Sequence, residues 1–174
     1  MRYPPSPLGP PAQPAPAPEE VRIATQLWWG VVAVGLVRVI AGVLSLLDRR
    51  AELERGILDA ARASDPNAPL AAAQLAVSII IVFTIVAGLG LLAVTAAVAH
   101  QFGRGRSWAR VVLTIGGILL LFDLLTALFA VSGGTGAAAF VAGAAGVLQG
   151  VLAAGALFLG YRPAADGYFS VNRR

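Results

Sequence analysis

Polar residues are gathered into a few short stretches of this chain, and long apolar runs fill the space between them. Leu27 to Leu47 is interrupted only by Arg38, and Leu75 to Val98 carries no charge. Val111 to Val131 contains Asp123, and Ala137 to Gly160 contains Gln149. An α-helix rises about 1.5 Å per residue, so about 20 apolar residues cross the ~30 Å hydrocarbon core of a bilayer. The pattern predicts an all-α protein, an integral membrane four-helix bundle, with spans at about 27–47, 75–98, 111–131 and 137–160 in a domain covering 19–160.

The segments outside these runs have characters of their own. Residues 1–18 hold eight of the eleven prolines and repeat PxxP spacing at Pro4/Pro7, Pro7/Pro10 and Pro11/Pro14. Proline blocks both helix and sheet pairing, which predicts a disordered, polyproline-leaning cytoplasmic tail. It reads as a solvated spacer, with a ligand for a proline-reading groove as the sharper alternative. Helix 1 is expected to start near Pro18, with Glu19 and Glu20 in its first turn. The external loop 48–74 alternates charges and spaces Leu53, Ile57, Ala60 and Ala61 for one face of a short amphipathic helix. Asp65 to Pro69 ends that helix, Ser107 is an N-cap candidate for the third long helix, and 132–136 is a minimal turn. Residues 161–174 form a short cytoplasmic tail.

Charge supports this picture and orients it. Only 13% of the residues are charged, against about a quarter in soluble domains, and mean hydropathy is +0.77. Arginine supplies all thirteen basic residues. Eight of these flank the ends shared by both termini, and four lie in the 48–74 loop beside five acidic residues. The positive-inside rule then predicts a plasma-membrane protein with both termini cytoplasmic. Arg104, Arg106 and Arg110 are candidates for contact with anionic lipid, a better fit than nucleic acid because the arginines border apolar runs. Trp28, Trp29, Trp108 and Tyr161 fall at the same interface as an aromatic belt.

Candidate chemistry is sparse. The absence of cysteine excludes disulfides and thiol catalysis. The single histidine, His100, reads as an interfacial residue, since it has no neighbouring carboxylate to form a base or metal site. No cofactor is implied. The conspicuous feature is a polar layer. Arg38 and Asp123 lie about nine and eight residues from the far ends of their spans, so their depths agree within a couple of ångströms. Gln149 falls in the same slab, and Thr84 lies within roughly one turn of it. Arg38 shares a face with Gly35, Gly42 and Ser45, and Asp123 with Gly116 and Thr126. Such a layer is either a structural ion pair that fixes helix order or a site for a proton, ion or lipid headgroup. Ala142, Gly146, Gly150 and Ala154 form a small-residue ladder opposite Phe140, Val147, Val151 and Phe158. The ladder serves packing inside the bundle or against another protein.

GRGRSWAR at the opening of the third span and YRPAADGYF after the fourth resemble pieces of small four-span membrane proteins of actinobacteria, which often carry a proline-rich head. The resemblance implies a plasma-membrane protein and transfers no catalytic residue. The features together predict a non-enzymatic accessory or scaffolding subunit whose partners are the bilayer and other membrane subunits. The alternative is a small transporter or channel component using Arg38 and Asp123.

Overall fold

A computed structural model describes residues 17–133 and 137–171. Residues 1–16 of the proline-rich head, 172–174 and residues 134–136 of the predicted 132–136 turn lie outside the described residues. Six helices are described: α1 Glu19–Asp48, α2 Arg50–Ser64, α3 Leu70–Gly103, α4 Ser107–Gly133, α5 Ala137–Gly160 and α6 Pro163–Val171. Helices α1, α3, α4 and α5 are long and apolar enough to cross a membrane.

The helix ends follow from local chemistry. Pro18 precedes α1, and its carbonyl accepts from the Val21 and Arg22 amides at 3.1 Å, while Glu19 and Glu20 occupy the first turn. Carboxylates there favour the positive end of the helix dipole. Helix α1 passes into α2 with Arg49 alone between them. After α2, the Asp65 carboxylate accepts the Asn67 amide at 3.0 Å, an Asx turn that redirects the chain toward Pro69 and α3. The α3–α4 connection is a Schellman turn: Arg106 donates to the Gln101 carbonyl and Gly105 to that of Phe102. Gly105 sits at φ 78°, a left-handed conformation that disfavours any residue with a Cβ.

Several boundaries differ from the sequence reading. Loop 48–74 is helical over most of its length, because α2 and the first turn of α3 fall inside it. Helix α2 buries Leu58 and half-buries Leu53 and Ile57 on its way along α3, whereas Ala60 and Ala61 face outward. Helix α4 begins at Ser107 itself, so Arg106 rather than Ser107 precedes it. The tail after α5 contains the nine-residue helix α6, started by Pro163.

Helix α5 packs against α1 on one side and α4 on the other, and α3 closes the ring against α1 and, less extensively, α4. Helices α1 and α4 therefore stand on a diagonal. The buried core clusters at the end where α1 begins, built from residues including Val21, Ala24, Trp28, Val98, Phe102, Ala109, Ala153 and Phe169. This is the proximal end, and the α1–α2 junction marks the distal end. Small residues set the close approaches. A Cβ on Gly150 would lie 2.7 Å from Leu124 Cβ and 3.3 Å from the Leu120 carbonyl oxygen of α4.

The proximal end is clasped by α6. Phe169 is buried, with its ring centroid 5.1 Å from that of Phe102. Arg110 of α4 donates to Asp166 at 2.5 Å and stacks 4.0 Å from the Tyr161 ring centroid. Thr114 shares a 2.8 Å hydrogen bond with the Tyr161 hydroxyl. The stretches GRGRSWAR and YRPAADGYF thus meet in space.

Candidate functional site

At mid-length the ring encloses a charged contact. Arg38 on α1 reaches across the diagonal to Asp123 on α4 in a two-pronged salt bridge. Nη1 donates to Oδ2, and Nη2 to Oδ1 at 2.9 Å. A planar guanidinium matches a carboxylate in this forked geometry, which fixes orientation as well as distance. Each side chain remains about one-third exposed, at 34% and 32%.

Gln149 on α5 is 7% exposed, and its Nε2 donates to the Val31 carbonyl of α1 at 3.3 Å. Gly35 makes this approach possible, since a Cβ there would meet Gln149 Nε2 at 2.9 Å and Leu92 Cδ2 at 2.6 Å. Thr84 does not join the layer. Its hydroxyl donates to the Ile80 carbonyl one turn back on its own helix, at 2.8 Å. The helix backbone supplies a partner at no conformational expense, so the hydroxyl has no need to reach across the ring.

Arg38 and Asp123 line an interior cavity of ≈ 380 Å³, and Gln149 joins its lining nearer Trp28, where it meets Gly35 and the Val31 carbonyl. Its inner wall is formed by buried Trp28, Val31, Val98 and Leu113. Leu91 and Val94 of α3 and Val112 and Leu119 of α4 border a lateral mouth, and all four are exposed. The mouth opens where α3 and α4 separate. Gly116, on the same wall, has open space where its Cβ would stand. Sequence reasoning missed Thr95 and the cavity role of Trp28. Trp28 was expected in an interfacial belt, yet it is 2% exposed, while its neighbour Trp29 is 47% exposed. Adjacent helical positions point about 100° apart, so one tryptophan of the pair faces inward.

A second, wholly apolar groove of ≈ 400 Å³ runs along the distal half, between Val37, Ile40, Ala41 and Leu44 of α1 and Ala137 and Val141 of α5. The α5 ladder lies elsewhere on that helix: Gly146 and Gly150 are buried, Ala142 and Ala154 half-buried, and Gly150 faces α4. Phe140, Val151 and Phe158 are exposed, as is His100. Arg104 and Arg106 are exposed as well, whereas the Arg110 side chain is 15% exposed and committed to Asp166 and Tyr161. That commitment removes Arg110 from the set of arginines open to a lipid headgroup. Among the described residues no three His, Cys, Asp or Glu side chains group to hold a metal ion.

The arrangement has limited chemical range. The salt bridge is neutral as a unit and offers N–H donors and carboxylate lone pairs at the end of an apolar chamber. It can hold a polar group or fix helix order. No known protein family, curated protein or solved structure matches the chain.

Proposed function

We propose that this chain is a non-enzymatic integral membrane protein, an accessory or scaffolding subunit that acts through helix–helix contacts. The observation that carries this reading is the apolar groove on the distal part of α1 and α5, lined by Val37, Ile40, Ala41, Leu44 and Val141. In lipid, helices associate through van der Waals packing and small-residue contacts, and a groove with alanine at its floor suits a partner helix. The arginine distribution supports a plasma-membrane location with both termini cytoplasmic. Arg104 and Arg106, exposed beside Trp108, suit contact with anionic headgroups. A plasma-membrane location is also what the resemblance of GRGRSWAR and YRPAADGYF to small four-span actinobacterial proteins implies.

Pull-down from native membranes in gentle detergent tests this reading. A membrane partner should co-purify at fixed stoichiometry and be lost from a Val37→Phe, Val141→Phe variant that retains the wild-type melting temperature. Retention of the partner by that variant, or purification of the wild type alone, would overturn it. The second reading, a small transporter or channel component, draws on the Arg38–Asp123 pair at the cavity end. Ion flux in reconstituted liposomes above that of empty liposomes would favour it.

A further inference from the structure

We propose that the interior cavity binds an uncharged lipid, an apolar chain bearing one hydroxyl or carbonyl group, with that group hydrogen-bonded at the Arg38–Asp123 pair. This extends the membrane reading above, in which hydrocarbon is the solvent around the helices.

Three observations define the ligand. The first is the mouth. Its rim is Leu91, Val94, Val112 and Leu119, side chains 42% to 69% exposed on the flanks of α3 and α4. It opens sideways along the proximal part of α3 and α4, between apolar side chains, so it suits entry of a ligand from the hydrocarbon. The second is shape. The chamber extends along α1 from Arg38 to Trp28, ten residues or about 15 Å. Its volume of ≈ 380 Å³ falls within the ~300–1,000 Å³ of small-molecule pockets. Away from the Arg38–Asp123 end its lining is apolar but for Gln149, whose Nε2 donates to the Val31 carbonyl, and Thr95, whose hydroxyl donates to the Leu91 carbonyl of its own helix.

The third observation sets the charge. Arg38 and Asp123 neutralise one another, so a charged headgroup would bring an uncompensated charge into a low-dielectric site. The pair nevertheless stays about one-third exposed, and Asp123 takes only two of the five guanidinium N–H donors. Buried polar groups are normally satisfied, and no water competes for these donors at mid-bilayer. A hydroxyl or carbonyl oxygen supplies an acceptor without adding charge. Neutral lipids also lack the ionic headgroup that holds phospholipids at the interface, so their polar group can reach this depth.

Trp28 provides a built-in reporter. In a Trp29→Phe, Trp108→Phe variant it is the sole tryptophan. That variant is reconstituted into phosphatidylcholine vesicles, its incorporation is checked by flotation, and mid-chain-brominated octadecanol is titrated in. Quenching of Trp28 should saturate and reverse on adding unbrominated octadecanol. Adding Gly116→Leu, which fills open space on the cavity wall, should weaken the apparent affinity about tenfold or more. The brominated alkyl sulfate, a permanent anion, should quench only in proportion to its mole fraction. Quenching by the alcohol that merely tracks mole fraction, or that Gly116→Leu leaves intact, would overturn the site. Should Gly116→Leu fail to fold, reversal by the unbrominated alcohol decides alone. Equal saturation by the sulfate would overturn the assignment to an uncharged ligand. Protein that does not float with the vesicles would overturn the membrane reading and the site with it, whereas floating protein without saturable quenching would overturn the site alone.

Discussion

Cutting the diagonal salt bridge is the most informative perturbation of this bundle. Removing either partner strands the other inside the ring. A broken buried pair typically costs about 3–5 kcal/mol. The forked geometry and mid-helix position put this pair toward that range, while the one-third exposure of each side chain pulls it toward the lower end. The two single variants should not be equal. A guanidinium keeps its charge under all accessible conditions, whereas a stranded carboxylate can neutralise itself by taking a proton. Asp123→Leu should therefore lose about 3–4 kcal/mol and Arg38→Leu less, about 2–3. The double variant leaves no stranded charge and replaces the pair with apolar volume, so it should lie within about 1 kcal/mol of wild type.

The resulting coupling energy is several kcal/mol, toward or beyond the upper end of the ~0.5–3 kcal/mol found for directly contacting residues. Melting temperature and folded yield in mild detergent, measured for all four members of the cycle, read it out. Additive losses, with the double variant as unstable as the two singles combined, would refute the contact and assign each charge a different partner. Equal losses for the two single variants would refute the protonation reasoning and leave the contact standing.

Five further outcomes follow. Gly150→Leu should lower the melting temperature in detergent, a loss of about 1–3 kcal/mol, because its side chain meets Leu124 and the Leu120 carbonyl. Gly116→Ala enters open space and should be neutral. Gly105→Ala should cost about 1–2 kcal/mol, read in the same melting assay, since φ 78° disfavours a Cβ. Truncation after Arg162 removes α6, Asp166 and Phe169, and should lower the melting temperature and expose the Phe102 side of the core to added protease; an unchanged melt would show that the clasp is idle. Cysteines at Ala60 and Ala164 should react oppositely with an impermeant thiol reagent on intact cells, Ala60Cys labelling and Ala164Cys protected; the reverse would invert the topology.

Some of this was readable from the sequence, for identifiable reasons. Length and hydropathy mark the four long helices, because an unbroken apolar run over about 20 residues has few other structural solutions. The meeting of Arg38 and Asp123 was also legible. Connection order makes neighbouring helices antiparallel, and counting residues from the span ends then gives depth directly. Thr84 was not resolvable in this way: depth brings it near the layer, but azimuth and the competing carbonyl of Ile80 decide where its hydroxyl bonds. Helix α6 was hidden because its nine residues, PAADGYFSV, carry too few apolar positions to show a period. Its stability comes from Phe169 on Phe102 and Asp166 on Arg110, contacts that join residues more than fifty positions apart. The inward turn of Trp28 was hidden by its neighbour, since composition does not say which of two adjacent tryptophans faces outward.

The ion pair lies at a boundary, and its position explains why the two halves of the bundle differ. Below it, toward the proximal end, the helices interlock. Gly35 admits Gln149, Gly103 brings a would-be Cβ within 3.2 Å of Thr25, and α6 seals the end. Above it, Val37, Ile40 and Leu44 of α1 are about half exposed and line the groove beside α5. In a hydrocarbon solvent, apolar side chains gain little by meeting each other rather than lipid tails, so close association needs small residues, polar contacts or both. The proximal half has both. From Ile40 to Leu47 of α1 the exposed side chains, Ile40, Leu44 and Leu47, are bulky and apolar, and Gly42 has no neighbour within 4 Å of its would-be Cβ. Beyond Arg38 the close contact among the described residues is on the α3 side of α1, where a would-be Cβ on Gly88 lies 2.9 Å from Val39. On the α5 side, a partner helix laid against Ala41 and Val141 would fill the groove from outside. The salt bridge, at the inner end of that groove's α1 wall and at the polar end of the cavity, keeps α1 and α4 in register whether or not either space is filled.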